Sequence, residues 1–169
     1  MTTYVGLLRA VNVGGTGKLP MTELRAMCEA AGFTGVRTYI QSGNVVFHSP
    51  LAEPEIRTRL EQALLLKMGK PIDVLVRTAA ELRALLAANP FPTANPSQVG
   101  ILFLSKPPSK KIVGEIAIPG REEIRVMGRE AFVHYPDGMG RSKLKFMALG
   151  IGTIRNVNTV TKLAALAAE

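Results

Sequence analysis

The residues best suited to chemistry lie in the last third of the chain, where basic side chains occur without acidic ones. Between residues 138 and 168 the sequence has no Asp or Glu and holds five basic residues, namely Arg141, Lys143, Lys145, Arg155 and Lys162. A run of cations without acids creates a local positive field. The Asp-Gly-Met-Gly turn at 137–140 leads into Arg141, where main-chain amides at a helix start can hold an anion. This third of the chain therefore predicts an anion-binding surface.

Arg155 begins a second polar block that is dense in hydrogen-bonding side chains. Asn158 or Thr159 is expected to cap a helix, because Asn and Thr satisfy the free amides of a first helical turn. A guanidinium beside a helix N-terminus is electrostatically unfavourable unless an anion or a carboxylate lies between them. Two interpretations remain: the block caps and solvates a helix, or Arg155, Asn156, Asn158 and Lys162 bind a ligand.

The first half contributes a glycine-rich loop at residues 13–18, and glycine lets backbone N–H groups converge on an anion. The loop does not fit the Walker A motif, which needs Gly in place of Asn12 and Ser or Thr in place of Leu19. It also fails the dinucleotide fingerprint, because Pro20 replaces the last glycine. We interpret it either as a flexible β–α turn or as a looser anion nest with Lys18.

Binding sites commonly lie in short specialised loops, so the polar residues of these segments form one ligand-site hypothesis. Its members are Arg9, Asn12, Gln41, Asn44, Arg141, Arg155, Asn156, Asn158 and Lys162. The sequence leaves open whether the glycine-rich loop, the turn at 41–44 and the block at 155–163 meet in space. No cofactor is predicted, and no metal site either, since no two His or Cys residues have ligand spacing on one element.

The titratable side chains offer an enzymatic alternative. His134 titrates near neutral pH when unperturbed, and a carboxylate within reach, such as Asp137, would support general acid–base catalysis. Arg141 and Arg155 are further candidates in this region. Cys28 lies on the apolar stripe of a predicted helix and is expected to be a buried, inert thiol. No spacing of nucleophile and base specifies a reaction.

Residues 128–135 partly match the strand motif of RNA-recognition domains. Phe132, Val133 and Tyr135 fit the motif, but Glu130 stands where an aromatic ring should stack on a base. An alternating strand after a hairpin turn is the preferred interpretation.

The elements that position these residues begin with a β-α-β-β-α-β order in the first half, which is the ferredoxin-like order. Helices are predicted over 20–31 and from about Pro54, because apolar residues there recur at helical spacing. Thr78 and Glu81 form a capping box that starts a third helix. The predicted strands cover residues 3–9, 36–40, 45–48 and 73–77.

The second half repeats the first. His48 and His134 are 86 residues apart, as are Pro50 and Pro136 (134 − 48 and 136 − 50). The repeat predicts a strand at 99–105, a helix near 109–118, a hairpin at 124–135 and a helix at 141–149. The end then departs from the repeat, with a helix over 158–168 where the first half has a strand.

We therefore predict an α+β fold of two related ferredoxin-like β-α-β-β-α units, an internal duplication with antiparallel sheets and a C-terminal helix. The predicted ranges are 1–77 for the first half, 78–98 for a connecting helix and proline-rich linker, and 99–169 for the second half.

The composition is that of an ordinary globular protein. The 169 residues are 47% hydrophobic and 20% charged. One cysteine excludes a disulfide framework, and no apolar run reaches the roughly 18 residues of a membrane helix. A cytoplasmic location without a membrane partner is therefore expected. The net charge of +8 favours anionic partners, and the oligomeric state stays open.

Three blocks, at residues 9–15, 39–45 and 155–163, resemble the signature blocks of the bacterial domain-of-unknown-function family 1697. The resemblance spans Tyr4 to Leu166. The sequence departs from the family at Val157, where Trp is usual, which removes a stacking group at that position. The resemblance implies two related ferredoxin-like halves and implies no activity.

The leading hypothesis is a non-enzymatic module that binds an anionic ligand, either nucleic acid or a phosphorylated metabolite. An aromatic content of 5% and the absence of Trp argue against nucleic acid. One alternative is a small-molecule enzyme that uses His134, Asp137 and Arg155. Another is a structural or interaction protein whose terminal helix packs on a second copy.

Overall fold

The structure is a computed structural model that describes residues 1–10, 18–40 and 43–169. In these ranges the chain forms two four-stranded sheets. No helix within them is long and apolar enough to cross a membrane. Most of the predicted glycine-rich loop, together with Asn12 and Gln41, lies outside the described residues.

The first unit is an antiparallel sheet with two helices in its connections. Its strands lie in the order β2-β3-β1-β4, with α1 (Met21–Ala30) between β1 and β2 and α2 (Glu53–Met68) between β3 and β4. This is the predicted ferredoxin-like arrangement. The strands are β1 (Thr2–Leu8), β2 (Thr34–Thr38), β3 (Asn44–Ser49) and β4 (Val74–Thr78).

One face of this sheet packs against α1 and α2. Tyr4 and Phe47 lie on that face, and Cys28 and Leu60 are among the helix residues that cover it. Cys28 is buried as predicted, and burial raises the pKa of its thiol to about 12. The thiol therefore stays protonated and packs as a small apolar group.

The second unit repeats the same sheet. Its strands lie in the order β6-β7-β5-β8, all antiparallel. His48 pairs with Thr3 of β1, and His134 pairs with Val99 of β5, so the predicted correspondence of the two histidines is confirmed. The strands are β5 (Val99–Leu104), β6 (Glu123–Met127), β7 (Glu130–His134) and β8 (Gly152–Asn156), and α4 (Lys110–Glu115) lies between β5 and β6.

The end of the chain follows the repeat more closely than predicted. β8 supplies the fourth strand of the second sheet, so the prediction that a helix replaces this strand was wrong. The terminal helix α5 (Val157–Ala167) follows β8 as α3 (Ala79–Ala87) follows β4. The strand was missed because its two buried positions hold the polar residues Thr153 and Arg155. The sequence therefore lacks the apolar alternation that marks a half-buried strand.

The predicted helix at 141–149 is also absent. The chain there forms two short 3₁₀ turns, Met139–Arg141 and Met147–Leu149. Gly138 and Gly140 precede this segment and Gly150 follows it, so glycines, which disfavour helix, lie on both sides of it. Ser142 is extended, with ψ 140°, and its hydroxyl accepts the Leu144 amide at 3.1 Å. This local bond competes with helix formation.

The described chain divides into two compact units. Met1–Arg83 and Leu163–Glu169 form the first, and Ala84–Lys162 form the second. The ranges 1–77, 78–98 and 99–169 stay predictions about domain organisation.

Candidate functional site

A polar cavity of about 310 Å³ opens in the second unit, beside the end of β7. It lies where β7 passes into the irregular connection to β8, at the place where the first unit continues into α2. Its wall combines both signs of charge with two hydroxyl groups. The polar side chains that line it are Glu122, Tyr135, Asp137, Arg141, Ser142 and Lys143.

A tight turn after β7 positions these side chains. The Tyr135 amide donates to the Gln98 carbonyl at 2.8 Å, and the Gly138 amide donates to the Tyr135 carbonyl at 3.0 Å. Gly138 has a φ of 95°, a conformation that glycine adopts without a steric penalty. The chain then enters the Met139–Arg141 turn, which carries Arg141 to the cavity.

Both acidic side chains of the cavity are already bound by protein donors. Glu122 accepts the Gly120 amide and the Ser142 hydroxyl, each at 3.0 Å. Asp137 accepts Nε of Arg121 at 3.2 Å and also its Nη2. The hydrogen bonds from Arg121, more than any charge effect, lower the pKa of Asp137, and Arg141 adds to the shift through its charge. Both carboxylates are engaged by neighbouring groups.

The two cations of the cavity are not engaged in this way. Arg141 and Lys143 are exposed, and neither side chain makes a hydrogen bond or ion pair within the described part of the chain. Their long side chains lose rotamer entropy only when a partner orders them. Arg141 and Lys143 are therefore the groups with which this cavity can hold an anion.

Tyr135 is the most deeply buried polar residue of the cavity wall, with 4% of its surface exposed. Its hydroxyl has no hydrogen-bond partner among the described residues. Burial, with a smaller contribution from the charge of Glu122, raises the pKa of the Tyr135 phenol above its ordinary value. The hydroxyl therefore stays protonated and can donate a hydrogen bond.

The other predicted residues of the C-terminal block do not line this cavity. Arg155 is 8% exposed, and its Nη1 donates to the Thr153 hydroxyl at 2.7 Å and to the Ile154 carbonyl at 3.0 Å. Burial lowers its pKa to about 10, so the guanidinium remains charged at neutral pH. Arg155 is thus an internal cation that holds its own strand.

Asn156 is the cap of the terminal helix, since its Oδ1 accepts the Thr159 amide at 2.8 Å. The prediction that Asn158 or Thr159 caps this helix was wrong by two or three residues. Asn158 and Lys162 are exposed on α5.

Of the predicted residues of the first unit, the structure describes Arg9 and Asn44, and both follow or begin a strand at one end of its sheet. The Leu8 amide donates to the Gly43 carbonyl at 2.9 Å, so the loop after β1 and the β2–β3 turn leave the sheet at the same end. Arg9 pairs with Asp73 there, with Nη1 and Oδ2 3.3 Å apart. Asn44 is fully buried, and its amide donates to the Tyr39 carbonyl at 3.0 Å.

Among the described residues, His134 and Asp137 form no hydrogen bond with each other, as a catalytic acid–base pair would. Asp137 is held by Arg121, whereas the His134 ring lies 5.4 Å from the ring of Phe91. Glu130 is buried in β7, so it does not lie on an open base-stacking platform. Among the described residues, no group of three or more His, Cys, Asp or Glu side chains could hold a metal ion.

Besides Glu122, Ser142 and Lys143 of the cavity wall, the ligand-site hypothesis left out two residues with unusual surroundings, Arg77 and Tyr135. Arg77 is 1% exposed and occupies in β4 the place of Arg155 in β8, because Val5 pairs with Arg77 as Ile101 pairs with Arg155. The signal was present as an Arg followed by a helix cap in both halves. Tyr135, the second missed residue, had no such signal, because an unpartnered hydroxyl is not visible in a sequence.

The fold and the cavity define a class: an α+β protein of two ferredoxin-like units, of which the second carries a polar cavity with free cations. The family model described as "Protein of unknown function (DUF1697)" matches residues 1–132. The chain belongs to that family, as the resemblance of its blocks predicted.

A solved structure supports the fold over nearly the whole chain. The chain is similar to the conserved bacterial protein SP0830 from Streptococcus pneumoniae, with a TM-score of 0.78 and 22% identity. The match covers 98% of this chain and 98% of that one. At this identity the likeness shows the fold alone. No curated protein matches the chain.

Proposed function

We propose that this protein binds an anionic ligand in the cavity of its second unit and acts as a binding module. The observation that carries the proposal is the state of the charges around the cavity. Glu122 and Asp137 are engaged by protein donors, whereas Arg141 and Lys143 have no partner within the described residues. The cavity therefore offers two cations to a ligand.

The surrounding charge supports the same proposal. Between residues 138 and 168 the chain has no acidic side chain, and its net charge is +8. A field of this sign raises the local concentration of anions and speeds their association. The two ligand classes that fit are a phosphorylated small molecule and a nucleic acid.

A dye-based thermal-shift titration tests the proposal, since the chain has no Trp to report binding. The probes are ribose 5-phosphate, adenine nucleotides and a short single-stranded RNA, each at two salt concentrations. At a hundred times its dissociation constant, a ligand stabilises the fold by roughly 2.7 kcal/mol. Binding that weakens steeply with salt identifies the RNA as the ligand.

The matched variants are Arg141→Gln with Lys143→Gln, and Lys145→Gln as the control. Lys145 lies on the same segment and does not line the cavity. We expect the double variant to lower affinity at least tenfold and the control to leave it within twofold. Equal losses in both would refute the proposal, because the effect would then come from net charge alone.

Arg155→Ala in the same titration tests the predicted ligand role of Arg155. We expect affinity at the cavity to stay unchanged, because this guanidinium is buried and bound to Thr153. A loss of affinity without a loss of stability would show that Arg155 takes part in ligand binding.

A further inference from the structure

Tyr135 is 4% exposed, and its hydroxyl has no hydrogen-bond partner in the described chain. Nearly all buried polar groups in native proteins are hydrogen-bonded, and each exception calls for an explanation. No fully buried side-chain oxygen or nitrogen of the described residues lacks a partner, so the Tyr135 hydroxyl is the part of this side chain that reaches the cavity surface. A ligand in this cavity can therefore accept a hydrogen bond from the Tyr135 hydroxyl.

The first unit shows that this turn does not require an open hydroxyl. The residue corresponding to Tyr135, at the same 86-residue offset as the histidines, is Ser49. The Ser49 hydroxyl accepts the Leu51 amide at 3.1 Å, so the turn after β3 is closed by its own bond. The phenol of Tyr4 is also used, since it donates to the Leu51 carbonyl at 2.7 Å.

The charges of the cavity fit a ligand that has both an anionic group and hydroxyl groups. Arg141 and Lys143 suit an anionic group, but Glu122 and Asp137 line the same space. A carboxylate has about four acceptor positions, and Glu122 uses two of them in its bonds to Gly120 and Ser142. A ligand hydroxyl can donate to the others, whereas a second anionic group there would be repelled.

The size of the cavity restricts the ligand further. About 310 Å³ is at the lower end of the range of small-molecule sites. Sequence-tolerant binding of single-stranded nucleic acid depends on aromatic side chains that stack on successive bases. The cavity has one aromatic residue, Tyr135, and its side chain is buried.

We infer that the ligand is a small phosphorylated polyol, such as a sugar phosphate, and that the Tyr135 hydroxyl donates a hydrogen bond to it. The inference rests on the proposed function. The phosphate lies between Arg141 and Lys143, ligand hydroxyls donate to Glu122, and Tyr135 donates to a ligand oxygen. Tyr135 is thus a specificity residue, because it favours ligands that have a hydrogen-bond acceptor beside its hydroxyl.

The test begins with the stability of the ligand-free protein. Tyr135→Phe removes a hydroxyl that has no described partner, so we expect the midpoint of chemical denaturation to be unchanged or slightly raised. Tyr4→Phe is the matched control. It leaves the Leu51 carbonyl without its donor, and we expect it to lower the midpoint. A Tyr135→Phe variant that loses as much stability as Tyr4→Phe would overturn the inference, since the hydroxyl would then have an internal partner.

The second measurement is affinity for ribose 5-phosphate, ribose and inorganic phosphate by calorimetric titration. We expect ribose 5-phosphate to bind more tightly than either fragment. Tyr135→Phe should lower its affinity roughly twofold to tenfold, the usual effect of losing a hydrogen bond between neutral groups. Inorganic phosphate that binds as tightly as ribose 5-phosphate would overturn the assignment of a polyol.

The variants separate failure of the inference from failure of the proposed function. If the Arg141→Gln and Lys143→Gln double variant loses binding while Tyr135→Phe does not, the anion site stands and the role of Tyr135 is refuted. If only the single-stranded RNA binds, the proposed anion site stands and the assignment of a phosphorylated polyol as the ligand is refuted. If neither variant changes the binding of any probe, both proposals are refuted.

Discussion

The two units share a sheet order and differ in how they connect their third and fourth strands. The first unit uses α2, a helix of 16 residues, which covers the sheet with Ile56, Leu60 and Leu64. The second unit uses an irregular segment with two short 3₁₀ turns. The two sheets thus have the same strand pairing, although the segments that follow their third strands differ.

The difference begins at one turn. In the first unit the chain leaves β3 through Ser49 and Leu51, whose bond closes the turn before α2. In the second unit the chain leaves β7 through Tyr135 and Gly138, and the following segment leaves a cavity. The cavity and the unpartnered hydroxyl thus lie in the unit that has no long helix after its third strand.

The largest expected effect comes from the covering helix itself. Leu60→Ala removes a fully buried side chain of α2 and should destabilise the protein by about 2–5 kcal/mol. Leu144→Ala changes a half-buried residue of the corresponding segment and should cost less, because removing a half-buried side chain leaves a smaller cavity. Chemical denaturation measures both. Similar losses would show that the irregular segment packs as tightly as the helix, contrary to the comparison.

Replacing the helix caps should lower the stability by an intermediate amount, and the loss should be similar in the two units. Thr78 accepts the Glu81 amide at 3.1 Å, and Asn156 accepts the Thr159 amide at 2.8 Å. Because each side chain satisfies one free amide, replacement by Ala should cost about 1 kcal/mol in either case.

Thr58→Ala is the control for the caps. Its exposed hydroxyl donates to the Pro54 carbonyl inside α2 and caps no helix, so its loss should be small. An Asn156→Ala variant as stable as this control would contradict the structural equivalence of α3 and α5.

The smallest effect concerns the titration of Asp137. Arg121→Gln removes the hydrogen bonds that lower its pKa, so we expect this pKa to rise towards the ordinary range. Because the folded-state pKa is lowered, the pair stabilises the fold above the unfolded pKa of about 3.9. That stabilisation disappears as the pH falls through the folded-state pKa.

Carboxyl resonances followed by NMR across the acid range give the Asp137 pKa directly. Arg125→Gln is the control, because Arg125 pairs with Glu123 at 3.0 Å and does not contact Asp137. An unchanged Asp137 pKa in Arg121→Gln would show that the pair is absent in solution.

Local patterns sufficed for much of the fold. The helical spacing of apolar residues predicted α1 and α2, and the capping box of Thr78 and Glu81 is present as predicted, with bonds of 2.9 and 3.1 Å. The hairpin about Gly128 was also predicted correctly, and its φ of 61° suits glycine. These features depend on residues a few positions apart, so the sequence displays them.

The errors have a common cause. β8 carries Thr153 and Arg155 at its inward positions, and it exists as a strand because it pairs with β5. The segment at 141–149 has apolar residues at helical spacing, but the bonds of Ser142 to Glu122 and to the Leu144 amide compete with a helix. The pairing of β8 with β5 and the bond of Ser142 to Glu122 both involve partners distant in sequence, which a local pattern does not display.

The candidate site, like the fold, could be predicted from the sequence only in part. The sequence displayed the cations Arg141 and Lys143 and the absence of acids around them, because charge is a property of composition. It did not display that Arg121, 16 residues before Asp137, holds that carboxylate, nor that Ser142 holds Glu122.

The sequence by itself therefore determined the β-α-β-β-α-β order of the first half, the repeat and the basic character of the C-terminal third. These follow from periodicity, caps and charge, which act within a few residues. Only the tertiary structure decided that Arg77 and Arg155 are buried, that the acids of the cavity are engaged and that the Tyr135 hydroxyl is not. A hydrogen bond depends on which distant residue the folded chain brings within about 3 Å.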